Sequence, residues 1–163
     1  MTLYETLCDE LHQQGVEVYE VPLLPRNKGF YCDKVIGLNK NIETEREKTC
    51  TLAEEQAHYL TTVGSILDQR KVSSRKQERL ARRMAYEKLI PLQRFVEASK
   101  EGLRNRYELA EYLDVTEDFL RDALSWYKEK YGLYADFYTE QACYEIYFDP
   151  LGVLEFFYDE DKE

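Results

Sequence analysis

The sequence predicts an α+β fold, on three observations. Apolar residues recur at helical spacing close to the N-terminus and again through the middle of the chain. Two regions rich in β-branched and aromatic residues, around Val16 to Leu38 and Tyr144 to Tyr158, flank those central helices. The length of 163 residues suits one compact domain, or one domain with a small appended lobe.

The elements follow in order. Leu3, Leu7 and Leu11, with Tyr4, mark a first helix over 2–14, stopped by Gly15. Val16-Glu-Val-Tyr-Glu-Val-Pro-Leu23 alternates as a strand does, Pro25 to Gly29 reads as a turn, and Phe30 to Leu38 gives further extended segments broken at Asp33-Lys34. A sheet of two or three strands is thus expected first. Thr44 with Glu47 forms a capping box for a helix from about Glu45 to Thr62, ending before Gly64. Ser74 and Gln77 open a helix that runs to about Leu89 and stops near Pro91. Leu92 to Ser99 forms a short helix closed by Gly102; Asn105 caps Tyr107 to Leu113; Thr116 caps Glu117 to Tyr131, which Gly132 ends. Tyr144 to Phe148 and Val153 to Tyr158 flank Asp149-Pro-Leu-Gly152, a type I turn with Pro second and Gly fourth, so a C-terminal β-hairpin is expected. Three regions result: 1–91, 92–132 and an acidic 133–163.

No run approaches 18 uninterrupted apolar residues, so no membrane span is expected, and Met-Thr-Leu-Tyr-Glu is no secretory signal. Cys8, Cys32, Cys50 and Cys143 form no C-x-x-C pair, which points to free thiols in a cytoplasmic protein. The net charge of −10 argues against coating nucleic acid. It is unevenly spread: Gly132 to Glu163 carries −8, whereas Gln69 to Met84 holds seven bases against Glu78 alone. Such runs are ordinarily solvated faces and solubilising tails; the sharper alternative is a basic surface that docks an acidic partner or the chain's own tail.

The chemistry concentrates in Thr51 to Leu60, where Glu54-Glu55-Gln56-Ala57-His58 resembles the H-E-x-x-H helix of zinc peptidases with Glu54 at the first His position. Residues at i and i+4 share a helix face, so Glu54 and His58 can reach one ion, with Glu55 placed to polarise a water. A catalytic zinc takes a third protein ligand from elsewhere, and Glu78, isolated among bases, is the candidate. E-E-x-x-H alone is a nonspecific pattern that many solvated helices carry. Cys50, one turn before Glu54, reads as a buried small hydrophobe, and His12 as a surface residue.

The stretch Leu52 to Gln69 resembles the active-site region of the ImmA/IrrE family of metallopeptidases, particularly the forms encoded by phages and mobile elements of Gram-positive bacteria. Arg75 to Pro91 is similar to that family's second helix, with its Leu-x-Pro corner, and Tyr107 to Leu120 resembles the helix-turn-helix-like region beyond it. The likeness covers about residues 16–131. It implies a minimal zincin-like lobe over 1–91, metal ligands His58 and Glu78, Glu54 in the first ligand position, and Glu55 as the general base acting on metal-bound water. Zinc is the implied metal, while two carboxylates and one imidazole make a harder donor set that also admits manganese or iron. That set should raise the pKa of the bound water. Gln56-Ala57, where relatives often have Leu-Gly, is a milder departure.

The implied function is a metal-dependent endopeptidase that cleaves or inactivates a helix-turn-helix repressor of a phage or mobile element. Tyr59, Tyr86 and Arg82 are open alternatives for the oxyanion donor. The alternative from another class is a non-catalytic antirepressor that binds the repressor on the same scaffold, motivated by Glu54. A third, direct DNA binding through the 107–131 hairpin, is opposed by Glu117, Asp118 and Asp122 at the start of its second helix.

Overall fold

Thr2 begins the chain's first helix with a complete capping box: its side chain accepts from the Glu5 N–H, and the Glu5 carboxylate accepts from the Thr2 N–H. The computed structural model describes residues 1–61 and 72–158, and it is α+β throughout. The described residues fall into two compact units, Met1–Leu89 with Asp114–Thr116, and Ile90–Leu113 with Glu117 onward.

In the first unit, α1 (Leu3–Gln13) buries Leu7 and Leu11 and leads through β1 (Glu17–Val21), β2 (Gly29–Cys32) and β3 (Val35–Asn39) to α2 (Glu45–Thr61) and α3 (Val72–Leu89). The strand order is β1-β3-β2, with β1 parallel and β2 antiparallel to β3. The apolar run Val35-Ile-Gly-Leu38 therefore takes the central position, where Ile36 and Leu38 are fully buried. Asn39, also buried, ties down the preceding turn: its Nδ2 donates to the carbonyls of Leu24 (3.2 Å) and Asn27 (2.8 Å), and its Oδ1 accepts from the Asn41 N–H. Gly37 lies under the Phe30 ring of β2, which covers the place where a Cβ would stand.

α2 starts at Thr44, whose Oγ1 accepts from the Glu47 N–H at 3.2 Å; the Glu47 carboxylate meets Lys28 at 3.0 Å. It is packed by α1, by α3 and by strands β2 and β3, so Thr49 to Ala53, Gln56 and Ala57 are buried and little of its circumference meets solvent. α3 opens at Val72, ahead of the expected Ser74 cap, and ends at Leu89. The expected stop before Gly64, the bases at 70 and 71, the Ser74 side chain and the tail from Asp159 lie outside the described residues.

In the second unit, α4 (Leu92–Lys100) buries Phe95, Val96 and Ala98; α5 (Arg106–Leu113) begins with the Glu108 N–H donating to Asn105 Oδ1 at 2.9 Å. α6 (Glu117–Tyr131) spans the predicted residues and buries Phe119, Leu120, Ala123, Leu124 and Tyr127. The Tyr127 hydroxyl donates to the Ile90 carbonyl at 2.7 Å, and its ring packs with Phe95 and Phe148 at centroid distances of 5.8 and 5.5 Å. Tyr127 is thus part of the core of this unit.

The C-terminal hairpin is two strands of a three-stranded sheet, β4 (Tyr134–Tyr138), β5 (Ala142–Phe148) and β6 (Leu151–Phe157), antiparallel in the order β4-β5-β6. The turn differs from the expected one. Phe148 pairs with Leu151, so the connection is Asp149-Pro150 and Pro150 takes the third position instead of the second. A proline there does not suit a type I turn, and burial of Phe148 carries the ladder one residue further than the turn signal suggested.

Candidate metal centre

α2 and α3 carry the predicted site residues. His58 lies in the last turn of α2 and Glu78 near the start of α3, and His58 Nε2 stands 3.3 Å from Glu78 Oε2. Glu78 is shared: Arg82, one turn on along α3, reaches its other oxygen at 3.5 Å. Two donors held tetrahedrally at about 2.0–2.2 Å from a zinc ion lie roughly 3.3–3.5 Å apart, so the separation of the imidazole and carboxylate atoms suits a shared cation. Without a cation the same pair closes as an ion pair when the imidazole is protonated.

Glu55 is partly buried on the same stretch of α2. Burial first, then the nearby Glu54 and Glu78 carboxylates, push its carboxyl up from 4.5 to about 7. Three carboxylates and one imidazole therefore share one local field, which a cation would neutralise. The structure brings His58 and Glu78 together directly. Among the described residues, however, no group of three His, Cys, Asp or Glu side chains is gathered as a ready ligand set, so Glu54 acts on this field without closing on the other two.

The surroundings explain the site's neighbours. β2 runs beside α2, with the Tyr31 ring 5.1 Å from that of Tyr59. Tyr86 is buried in α3. Cys50 is buried, its Sγ 4.0 Å from Thr116 Oγ1, and burial pushes the thiol up to about 11, so it stays neutral and packs as a small hydrophobe. Gln56, only 5% exposed, and Ala57 line a cavity between α2 and α3 that Met84 also borders.

One residue escaped the sequence reading. Gly29, at the end of the turn that the sequence predicts, is the first residue of β2, and a Cβ there would stand 3.1 Å from both Glu55 Cγ and Thr51 Cγ2 and 3.0 Å from the Gly37 carbonyl. Its bare backbone lets the strand approach α2 at Glu55. The signal was present: a glycine bordering a strand pattern marks close backbone approach.

Within the second unit, Arg121, the lone early base of α6, is held by Asp118 at 2.9 Å and Asp122 at 3.2 Å. The helix thus presents mainly carboxylates where a recognition helix would meet phosphate.

A mixed three-stranded sheet packs against the largely buried α2, whose His58 meets Glu78 of α3, and the family match that goes with this arrangement makes it a metallopeptidase-like scaffold. The IrrE N-terminal-like domain, a peptidase family, matches residues 11–125, and the chain belongs to that family. No curated protein matches the chain. Among the described residues no helix is long and apolar enough to cross a membrane.

Proposed function

We propose that the chain is a metal-dependent endopeptidase whose metal, zinc first among the candidates, is held by Glu54, His58 and Glu78. The observation that carries this reading is the 3.3 Å approach of His58 Nε2 to Glu78 Oε2. Both residues belong to the donor set, and the approach occurs beside a desolvated Glu55. The bound ion would supply Lewis acidity toward a peptide carbonyl. Glu55 is the proton carrier: its carboxylate takes a proton from the attacking water and passes it to the departing amide nitrogen. Burial beside β2 restricts the carboxyl's hydration and keeps it suited to both roles near neutral pH. Arg82, through Glu78, fixes the orientation of that carboxylate. The substrate on this reading is a helix-turn-helix repressor of a phage or mobile element, met in the cytoplasm.

Metal analysis of the purified protein tests the reading. Wild type and Glu55→Gln should each retain about one zinc per chain, while His58→Ala and Glu78→Gln should lose it; only wild type should cut a cognate repressor. Absence of metal from wild type prepared with added zinc, or retention in His58→Ala, would overturn the assignment. Repressor binding that survives without metal would favour the antirepressor alternative.

A further inference from the structure

The outer face of the C-terminal sheet has no role in the chemistry above. Cross-strand partners share a face, and β4, β5 and β6 align three rows there: Tyr138–Cys143–Phe156, Asp136–Glu145–Leu154 and Tyr134–Tyr147–Gly152. The opposite face supplies the buried residues Ala142, Tyr144, Ile146 and Phe148, so the outer face is free of that packing duty. Yet it is not polar. Tyr138 is 67% exposed, Leu154 50% and Phe156 48%, beside Tyr134 and Tyr147, whose rings pack at 5.4 Å. Large apolar side chains gathered on one sheet face mark an interaction surface.

A second observation says what should cover it. Asp136 and Glu145 stand directly opposite each other in the middle row, and like charges in register are unfavourable in a sheet. Among the described residues neither has an ion-pair partner; Glu145 accepts only the Tyr147 hydroxyl, at 2.7 Å. The arrangement costs the free protein stability, and a cation placed between the carboxylates and over the tyrosine rings would turn that cost into attraction. Phosphate-bearing partners are excluded by the same pair of acids. A second copy of this face would bring the same acids and add to the repulsion.

We propose that this aromatic, acid-centred face docks a basic segment of a protein partner, in which Lys or Arg alternates with apolar side chains. The carboxylates take the cations, and Tyr138, Leu154 and Phe156 take the apolar groups. The proposal stands apart from the metal centre, and its test does not require catalysis.

The probe is a short synthetic peptide alternating Lys and Leu, with the same peptide carrying Glu for Lys as control, titrated calorimetrically into the full chain at low and high salt. The Lys peptide should bind saturably and more weakly as salt rises; the Glu peptide should not bind. Asp136→Asn with Glu145→Gln should weaken binding roughly tenfold and remove most of its salt dependence, and Tyr138→Ala with Phe156→Ala should weaken it comparably while leaving the salt slope. The Asp136→Asn, Glu145→Gln chain should also melt at or above the wild-type temperature, which marks the acid pair as retained for binding. A chain with Asp159, Glu160, Asp161 and Glu163 neutralised should keep its affinity. The proposal is overturned if binding is lost only in that last chain, if the face variants bind as wild type does, or if no peptide binds. A wild-type dimer that dissociates on Phe156→Ala would give the face to a second copy and equally overturn it.

Discussion

Glu55→Gln should stabilise the metal-free protein, and should do so more at pH 8 than at pH 5. Burial, with Glu54 and Glu78 nearby, raises the folded-state carboxyl from 4.5 to about 7. A carboxyl raised on folding favours the folded state fully only below its unfolded value, and that contribution is lost as pH rises through the folded value. At pH 8 both states are ionised, and the folded state bears a penalty of about 3 kcal/mol for a shift of this size. At pH 5 the folded carboxyl is protonated and the unfolded one mostly ionised, so the penalty falls to about 1 kcal/mol. Glutamine fills the same space without charge. The variant's advantage should therefore grow by about 2 kcal/mol between the two pH values, or somewhat less because solvent reaches part of the carboxyl. Urea denaturation in excess chelator measures it; for a chain of this length each kcal/mol also moves the melting temperature by roughly 2–4 °C. An advantage independent of pH, or one that shrinks toward pH 8, would refute the reasoning.

Other outcomes follow from the same geometry. Gly29→Ala should cost about 1–3 kcal/mol in chemical denaturation, because the added methyl meets the Gly37 carbonyl as well as the Thr51 and Glu55 side chains and the backbone cannot yield as a side chain can. Gly37→Ala drives a methyl into the Phe30 ring, and adding Phe30→Ala should recover part of the loss, which a double-mutant cycle would register as coupling. Tyr127→Phe removes the hydroxyl that satisfies the Ile90 carbonyl and should cost about 1–2 kcal/mol with near-ultraviolet dichroism retained. Unchanged stability in that variant would show the bond to be dispensable.

Where the sequence was read correctly, a local signal and the tertiary environment agreed. α6 occupies its predicted span because Thr116 precedes it, Gly132 ends it at a positive φ of 78°, and its apolar residues repeat at helical spacing. The β2–β3 break at Asp33-Lys34 was likewise visible, and both residues adopt positive φ. β4 was missed because Asp136 interrupts a five-residue run directly after a helix, and its strand character comes from pairing with β5. The site divides in the same way. The i, i+4 relation of Glu54 and His58 follows from the helix alone, Glu78 stands out as the one acid in a basic stretch, and the likeness to a family gives it the same role. The pressure of Gly29 on Glu55 joins residues 26 apart in sequence and is set by the strand order β1-β3-β2, which no local pattern encodes.

Glu54 is the residue on which the two readings of the centre part, and its charge bears on Glu55 under either of them. A carboxylate in place of an imidazole adds a negative charge one residue before Glu55, and that charge is among the causes that raise Glu55. In the metal-free chain this is a cost with no return, since Glu54 and Glu78 both oppose ionisation of a buried neighbour. A divalent cation held there by Glu54, His58 and Glu78 would reverse the sign of each term, favouring the charged form of Glu55 and relieving the repulsion between the carboxylates. The pH-dependent penalty in the metal-free protein and the metal affinity of the loaded one are then two measures of the same field. Replacing Glu54 by Gln should lower the pH-dependent penalty whatever its role toward a metal, because its charge raises Glu55 in the metal-free chain; a parallel loss of metal affinity would mark it as a donor, and unchanged affinity would leave it a neighbouring charge only.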